Sequence, residues 1–124
     1  SFIANARRIR KLLGGGMRQA GFLAAAGIYA LDNNVKRLKD DHKKAKHIGS
    51  LLAGKSYIEE VLPVDTNIVI FKLADKMPAA DFINMLGKEN ILVSQMGTQL
   101  VRMVTHLDFT DEMLEVTEKV LKKI

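Results

Sequence analysis

Asn67-Ile68-Val69-Ile70-Phe71-Lys72-Leu73 is the stretch from which the fold is read: a nearly continuous apolar run of strand length. A run of this kind suits a central strand, with neighbours on either side. Upstream, residues 57–62 have the run of a second strand, with Glu59 and Glu60 outward and Pro63 to end it. Downstream, Pro78 opens a helix whose Ala79, Phe82, Ile83 and Leu86 share one face, closed by Gly87 or Asn90. A short strand over 91–93, a loop over 94–99 around Gly97 and a further strand over 100–105 follow. Thr110 with Asp111 and Glu112 then starts a last helix, because a hydroxyl cap and two acids satisfy free N–H groups and the helix dipole. Its inward face is Met113, Val116, Val120 and Leu121.

Working toward the other end, Val35, Leu38, Ala45, Ile48 and Leu52 form one apolar stripe, with lysines on the opposite side and His42 near the stripe. Asp32-Asn33-Asn34 reads as a break and a cap before it. Residues 2–13 are a helix with apolar Phe2, Ala6, Ile9 and Leu13 and a basic face of Arg7, Arg8, Arg10 and Lys11. Residues 17–31 are apolar or small all round, which calls for burial on nearly every side, either in this domain's core or against material from elsewhere. The order is three helices, two strands, a helix, two strands and a helix. The expected class is therefore α+β, with helices on one face of a small, mostly antiparallel sheet.

Gly14-Gly15-Gly16 separates the first two helices, with Lys11 before it and Arg18 expected in the first turn after it. Three glycines are either a tight turn or a place where a ligand approaches the backbone closely. Helix N–H groups beside two cations make that ligand an anion such as phosphate.

Composition narrows the function classes. The 124 residues suffice for one small core, with 48% hydrophobic and 27% charged residues. There is no cysteine, which excludes disulfides and thiolate metal sites, and three scattered histidines make a metal site unexpected. No apolar run is long enough to cross a bilayer and the start is not a signal sequence, so a cytoplasmic protein without membrane contact is expected. The net charge of +5 comes with only 6% aromatic residues, which do not interleave with the basic clusters, so nucleic acid is not an expected partner. The chain opens at Ser1 and enters a helical pattern at once, which leads us to expect a piece of something longer.

Alternation along 100–106 puts Leu100, Arg102, Val104 and His106 on one face and Val101, Met103 and Thr105 on the other. A guanidinium among apolar neighbours needs an anion, supplied either by a protein carboxylate or by a ligand.

Four strings in order resemble the low-specificity threonine aldolases, pyridoxal-phosphate lyases of the β-eliminating type. They are Lys11-Leu12-Leu13-Gly14-Gly15-Gly16-Met17-Arg18-Gln19-Ala20-Gly21, Asp40-Asp41-His42, Asp65-Thr66-Asn67, and Val101-Arg102-Met103-Val104-Thr105-His106-Leu107-Asp108. The resemblance runs the length of the chain. It implies fold type I, with residues 1–33 ending the large cofactor domain and residues 34–124 forming the small C-terminal domain. It implies that Arg102 grips the α-carboxylate of a β-hydroxy-α-amino acid such as L-threonine or L-allo-threonine, which is cleaved to glycine and acetaldehyde. Lys11 and Arg18 would sit near the pyridoxal phosphate, supplied across a subunit boundary of a homo-oligomer, usually a tetramer. The Schiff-base lysine would lie before Ser1, so residues 1–124 alone are expected to be inactive and to hold the cofactor poorly. The alternative is a stand-alone α+β binding or assembly module without catalysis.

Overall fold

The computed structural model describes residues 1–124, which form α1 (Phe2–Leu12), α2 (Gly21–Asn34), α3 (Leu38–Leu52), β1 (Ile58–Val61), β2 (Ile68–Leu73), α4 (Ala79–Lys88), β3 (Ser94–Gln95), β4 (Leu100–Val104) and α5 (Asp111–Lys123). The strands make one sheet in the order β1-β2-β4-β3, with every neighbouring pair antiparallel. The apolar run at 68–73 is thus an inner strand, as its composition demands. The class is α+β.

The chain divides into two compact units, Ser1–Lys36 and Arg37–Ile124. The second contains the sheet and the core. One face of the sheet, carrying Val69, Phe71 and Leu73 of β2 and Val101 and Met103 of β4, is buried with Ala45, Ile48 and Leu52 of α3, Phe82 and Leu86 of α4 and Val120 and Leu121 of α5. Phe82 meets the edge of Phe71 at 5.7 Å between centroids and lies 5.8 Å from Tyr57, so three rings anchor α4 to the sheet. Burial also raises the pKa of the Tyr57 phenol, which donates to the Leu121 carbonyl. The opposite face is the half-exposed row Ile68, Ile70, Lys72 on β2 and Leu100, Arg102, Val104 on β4. Glu59 and Glu60 both face outward because a bulge lets β1 spend two residues where β2 spends one.

Helix ends follow local chemistry. Thr110 caps α5 by accepting from the Met113 N–H at 3.3 Å. Asn90, at φ +60°, closes α4 with its own N–H on the Gly87 carbonyl and that of Ile91 on the Leu86 carbonyl. Pro78 has no side-chain acceptor to cap α4, so the carboxamide of Gln99 does it from the far side of the hairpin, accepting from the Ala79 N–H at 3.1 Å. The same side chain donates to the carbonyls of Ala74 and Met77.

Four local expectations are corrected. The break at 32–34 is absent: α2 runs through Asn34, because the Asn33 carboxamide donates to the Tyr29 carbonyl one turn back instead of capping the next helix. The third helix begins at Leu38, leaving Val35 and Leu38 exposed outside the buried stripe. The short strand lies at Ser94–Gln95 and not at 91–93, since the hairpin closed by the Met96 N–H on the Leu100 carbonyl sets the register against Val101 and Arg102. On α5, Met113 and Val116 are half exposed, and Thr117, whose hydroxyl donates to the Met113 carbonyl, is the buried member of that turn.

Unit Ser1–Lys36 is different in kind: α1 and α2 have no buried residue. Phe22, Leu23, Ile28, Tyr29 and Leu31 of α2 are each more than half exposed. No helix is long and apolar enough to cross a membrane.

Candidate functional site

In the first unit, the glycine run begins as a helix stop. Gly14 is at φ +84°, its N–H bonded to the Lys11 carbonyl and that of Gly15 to the Arg10 carbonyl at 2.8 Å. This pair of bonds satisfies two otherwise free carbonyls of α1 and needs a left-handed residue at the turn. The chain then lies so close to the helix that a Cβ on Gly15 would come within 3.0 Å of the Arg10 carbonyl oxygen, and one on Gly16 within 2.9 Å of the Lys11 Cγ. The outcome is a concavity of about 630 Å³, floored by Gly15 and Gly16 and ringed by Arg7, Arg8, Arg10, Lys11 and Arg18.

The structure therefore brings Lys11 and Arg18 to one basin. Arg18 reaches it from a turn and not from the first turn of α2: Gln19, at φ +50°, interrupts the helical path and α2 starts at Gly21 with no side-chain cap. No acidic residue precedes Asp32, so nothing in 1–31 neutralises these five cations. A ring of cations around a glycine turn suits a multivalent anion such as a phosphate monoester.

Arg102 belongs to the second unit, in the middle of β4, directly opposite Ile70 of β2 and Ser94 of β3. Val101 and Met103 turn into the core, so Arg102 projects from the uncovered face. Around it stand Ile68, Ile70, Leu100 and Val104. The other cation there, Lys72, is already paired: Glu59 hydrogen-bonds it at 2.7 Å and raises its pKa. Arg102 has no such partner. Its Nε is buried and makes no hydrogen bond. A desolvated guanidinium N–H without an acceptor is costly, and a planar fork presented on an apolar surface fits a carboxylate by two parallel hydrogen bonds.

Three of the four strings meet behind this strand. The Thr105 hydroxyl donates to the Asp41 carbonyl of α3 at 2.7 Å, the Asn67 carboxamide donates to the Thr105 carbonyl at 2.6 Å, and the Thr105 N–H donates to the Asn67 carbonyl at 3.0 Å. Asp41, 3% exposed, is itself paired with Arg37 at 2.7 Å. This knot fixes the start of β2 to the end of β4 and both to α3. His106 points away from it into solvent, its Nδ1 accepting from the Asp108 N–H. No cluster of histidine and acidic side chains could hold a metal ion. Asn67 reads in the sequence as a turn residue holding a strand end, and it does so here; Thr105 gave no signal of its part.

Comparison with known proteins shows the family of the chain. The profile of the beta-eliminating lyases matches residues 1–76, more than half of the chain. The chain belongs to the beta-eliminating lyase family. Within that family it is similar to the low specificity L-threonine aldolase of Escherichia coli strain K12, with 42% identity over 113 residues, 91% of this chain and 32% of that one. The probable low-specificity L-threonine aldolase 2 of Arabidopsis thaliana is 39% identical over 129 residues, 99% of this chain and 36% of the relative. This lyase-family chain thus spans about a third of the length of the curated relatives it matches. Among solved structures, histidinol-phosphate aminotransferase from Clostridium acetobutylicum aligns with 18% identity and a TM-score of 0.49 over 66% of this chain and 26% of that one.

Proposed function

We propose that this chain supplies the carboxylate-binding strand and part of the phosphate-binding basin of a pyridoxal-phosphate-dependent threonine aldolase. The observation that carries the reading is Arg102, a guanidinium with a buried, unpaired Nε, standing among Ile68, Ile70, Leu100 and Val104 on the open sheet face. It lies beyond the residues matched by the family profile, so its geometry is support independent of that match.

When bound, pyridoxal phosphate supplies the conjugated ring that accepts the electron pair released as the Cα–Cβ bond of the amino acid breaks. Lys11 and Arg18 are the residues of this chain that would hold its phosphate, over Gly15 and Gly16. Arg102 would clamp the α-carboxylate of L-threonine or L-allo-threonine. A two-point clamp fixes the rotation of the substrate about Cα, and with it the angle of the bond to be cleaved to the reacting system. The products would be glycine and acetaldehyde. In this reading residues 1–33 close the cofactor-binding domain and residues 34–124 form the small domain. Lys11 and Arg18 would serve the site of a neighbouring subunit in a homo-oligomer.

Arg102→Ala in the enzyme that carries this chain is expected to weaken L-threonine binding by about 100-fold, the effect of removing a charged, desolvated hydrogen-bonding partner. Steady-state kinetics check it, and an unchanged KM sinks the assignment. Residues 1–124 alone are expected to retain no pyridoxal-phosphate absorbance after unbound cofactor is removed by gel filtration and to release no acetaldehyde from L-threonine, because none of their lysines lies in the setting of a Schiff-base lysine.

A further inference from the structure

Ser94 is the one polar neighbour that the sheet places directly beside Arg102. The two are Cα partners across the β3–β4 ladder, and directly opposed residues send their side chains to the same face with Cβ atoms about 5 Å apart. Opposite Arg102 on the other side is Ile70, which has no polar atom to offer. The hairpin spends its other strand residue on itself: the Gln95 carboxamide donates to the Gly97 carbonyl at 2.8 Å. Ser94 is exposed, and its hydroxyl bonds to nothing in the chain.

The placement runs against local preference. Ile91, Leu92 and Val93 are the better strand formers, yet pairing starts at Ser94, and Leu92 is left 89% exposed. The register that results sets a free hydroxyl donor next to a guanidinium that lacks an acceptor. An ionised carboxylate has about four lone-pair sites; a guanidinium fork fills two of them, and a hydroxyl at its flank reaches a third.

We infer that Ser94 is a second carboxylate ligand, donating its hydroxyl proton to the same substrate α-carboxylate that Arg102 clamps. The inference rests on the reading of Arg102 given above. Ser94 makes the site selective for a free carboxylate: an amide or an alcohol at that position cannot receive three donors on two equivalent oxygens.

The test compares ligands with and without the carboxylate in the cofactor-loaded enzyme that carries this chain. Ser94→Ala is expected to raise the KM for L-threonine and the inhibition constant of glycine about 10-fold, the effect of losing one hydrogen bond to a charged group. The inhibition constant of L-threoninol, the amino alcohol, should stay within about 2-fold, since it presents no carboxylate for that bond. Ser94→Thr, which keeps the hydroxyl, should restore the glycine constant. Equal weakening of both ligands by Ser94→Ala would make the residue merely structural and overturn the inference. So would no change toward glycine while Arg102→Ala still weakens it. If Arg102→Ala also leaves glycine binding unchanged, the reading of the carboxylate site falls with it.

Discussion

Thr105 shows how much one hydroxyl holds in this fold. It is 1% exposed, and its Oγ donates to the main-chain carbonyl of Asp41, tying α3 to the end of the strand that carries Arg102. Thr105→Val keeps the shape and leaves that carbonyl without its donor. Unfolding in urea should show a loss of about 1–3 kcal/mol, with Thr105→Ser recovering most of it. A second residue-scale expectation concerns charge. Glu118 on α5 is hydrogen-bonded first by Lys122 on its own helix and then by His47 of α3 at 3.0 Å, and both contacts lower its pKa. A carboxyl depressed in the folded chain contributes stability above its unfolded pKa of about 4.3 and loses that contribution as pH falls through the folded value. An NMR titration of the Glu118 carboxyl should therefore give a midpoint below that of an ordinary glutamate, moving upward in His47→Ala. A midpoint at or above the ordinary value would dissolve the clasp.

Among elements, α4 depends most on a residue remote from it in sequence. Gln99 caps its first N–H and gathers the carbonyls of Ala74 and Met77, so one side chain ties the exit of β2, the connecting turn and the start of the helix together. Gln99→Leu strands these part-buried groups, and a destabilisation of about 2–3 kcal/mol in denaturant titration is expected. A change below about 0.5 kcal/mol would mean that water takes over the cap. Sequence reading reached the existence of α4 through Pro78 and the spacing of Ala79, Phe82 and Leu86, but assigned Gln99 only to a loop. Carboxamides carry no positional signature. The strand expected at 91–93 failed for a related reason: β-branched residues say that a strand is favourable there, while the register of a hairpin says where it pairs. The glycine run admits a tight turn or a close approach by a ligand, and the hydrogen bonds of Gly14 and Gly15 to the last turn of α1 make it a helix stop first.

At the scale of the whole molecule, the two units are held by different means. The sheet unit has a filled core around Phe71, Phe82 and Leu86, whereas α1 and α2 bury no residue. Hydrogen exchange on residues 1–124 should find the amides of β2 and β4 protected near the global unfolding free energy. Those of α2 should exchange far faster, because none of its residues is buried. Equal protection in both units would contradict this. By itself the sequence determined the class of the fold, the inner strand at 68–73, the alternation that sets Arg102 on the opposite face from Val101 and Met103, and the closeness of Lys11 and Arg18 to the glycines, because periodicity and local backbone chemistry act over a few residues. Only the tertiary structure decided that Arg102 finds no carboxylate of its own, that Ser94 stands beside it, and that Asp41, Asn67 and Thr105 form one knot. The contacts of Ser94 with Arg102 and within the knot join residues 8 to 64 positions apart, and such distances are closed by register and packing, which no local pattern encodes.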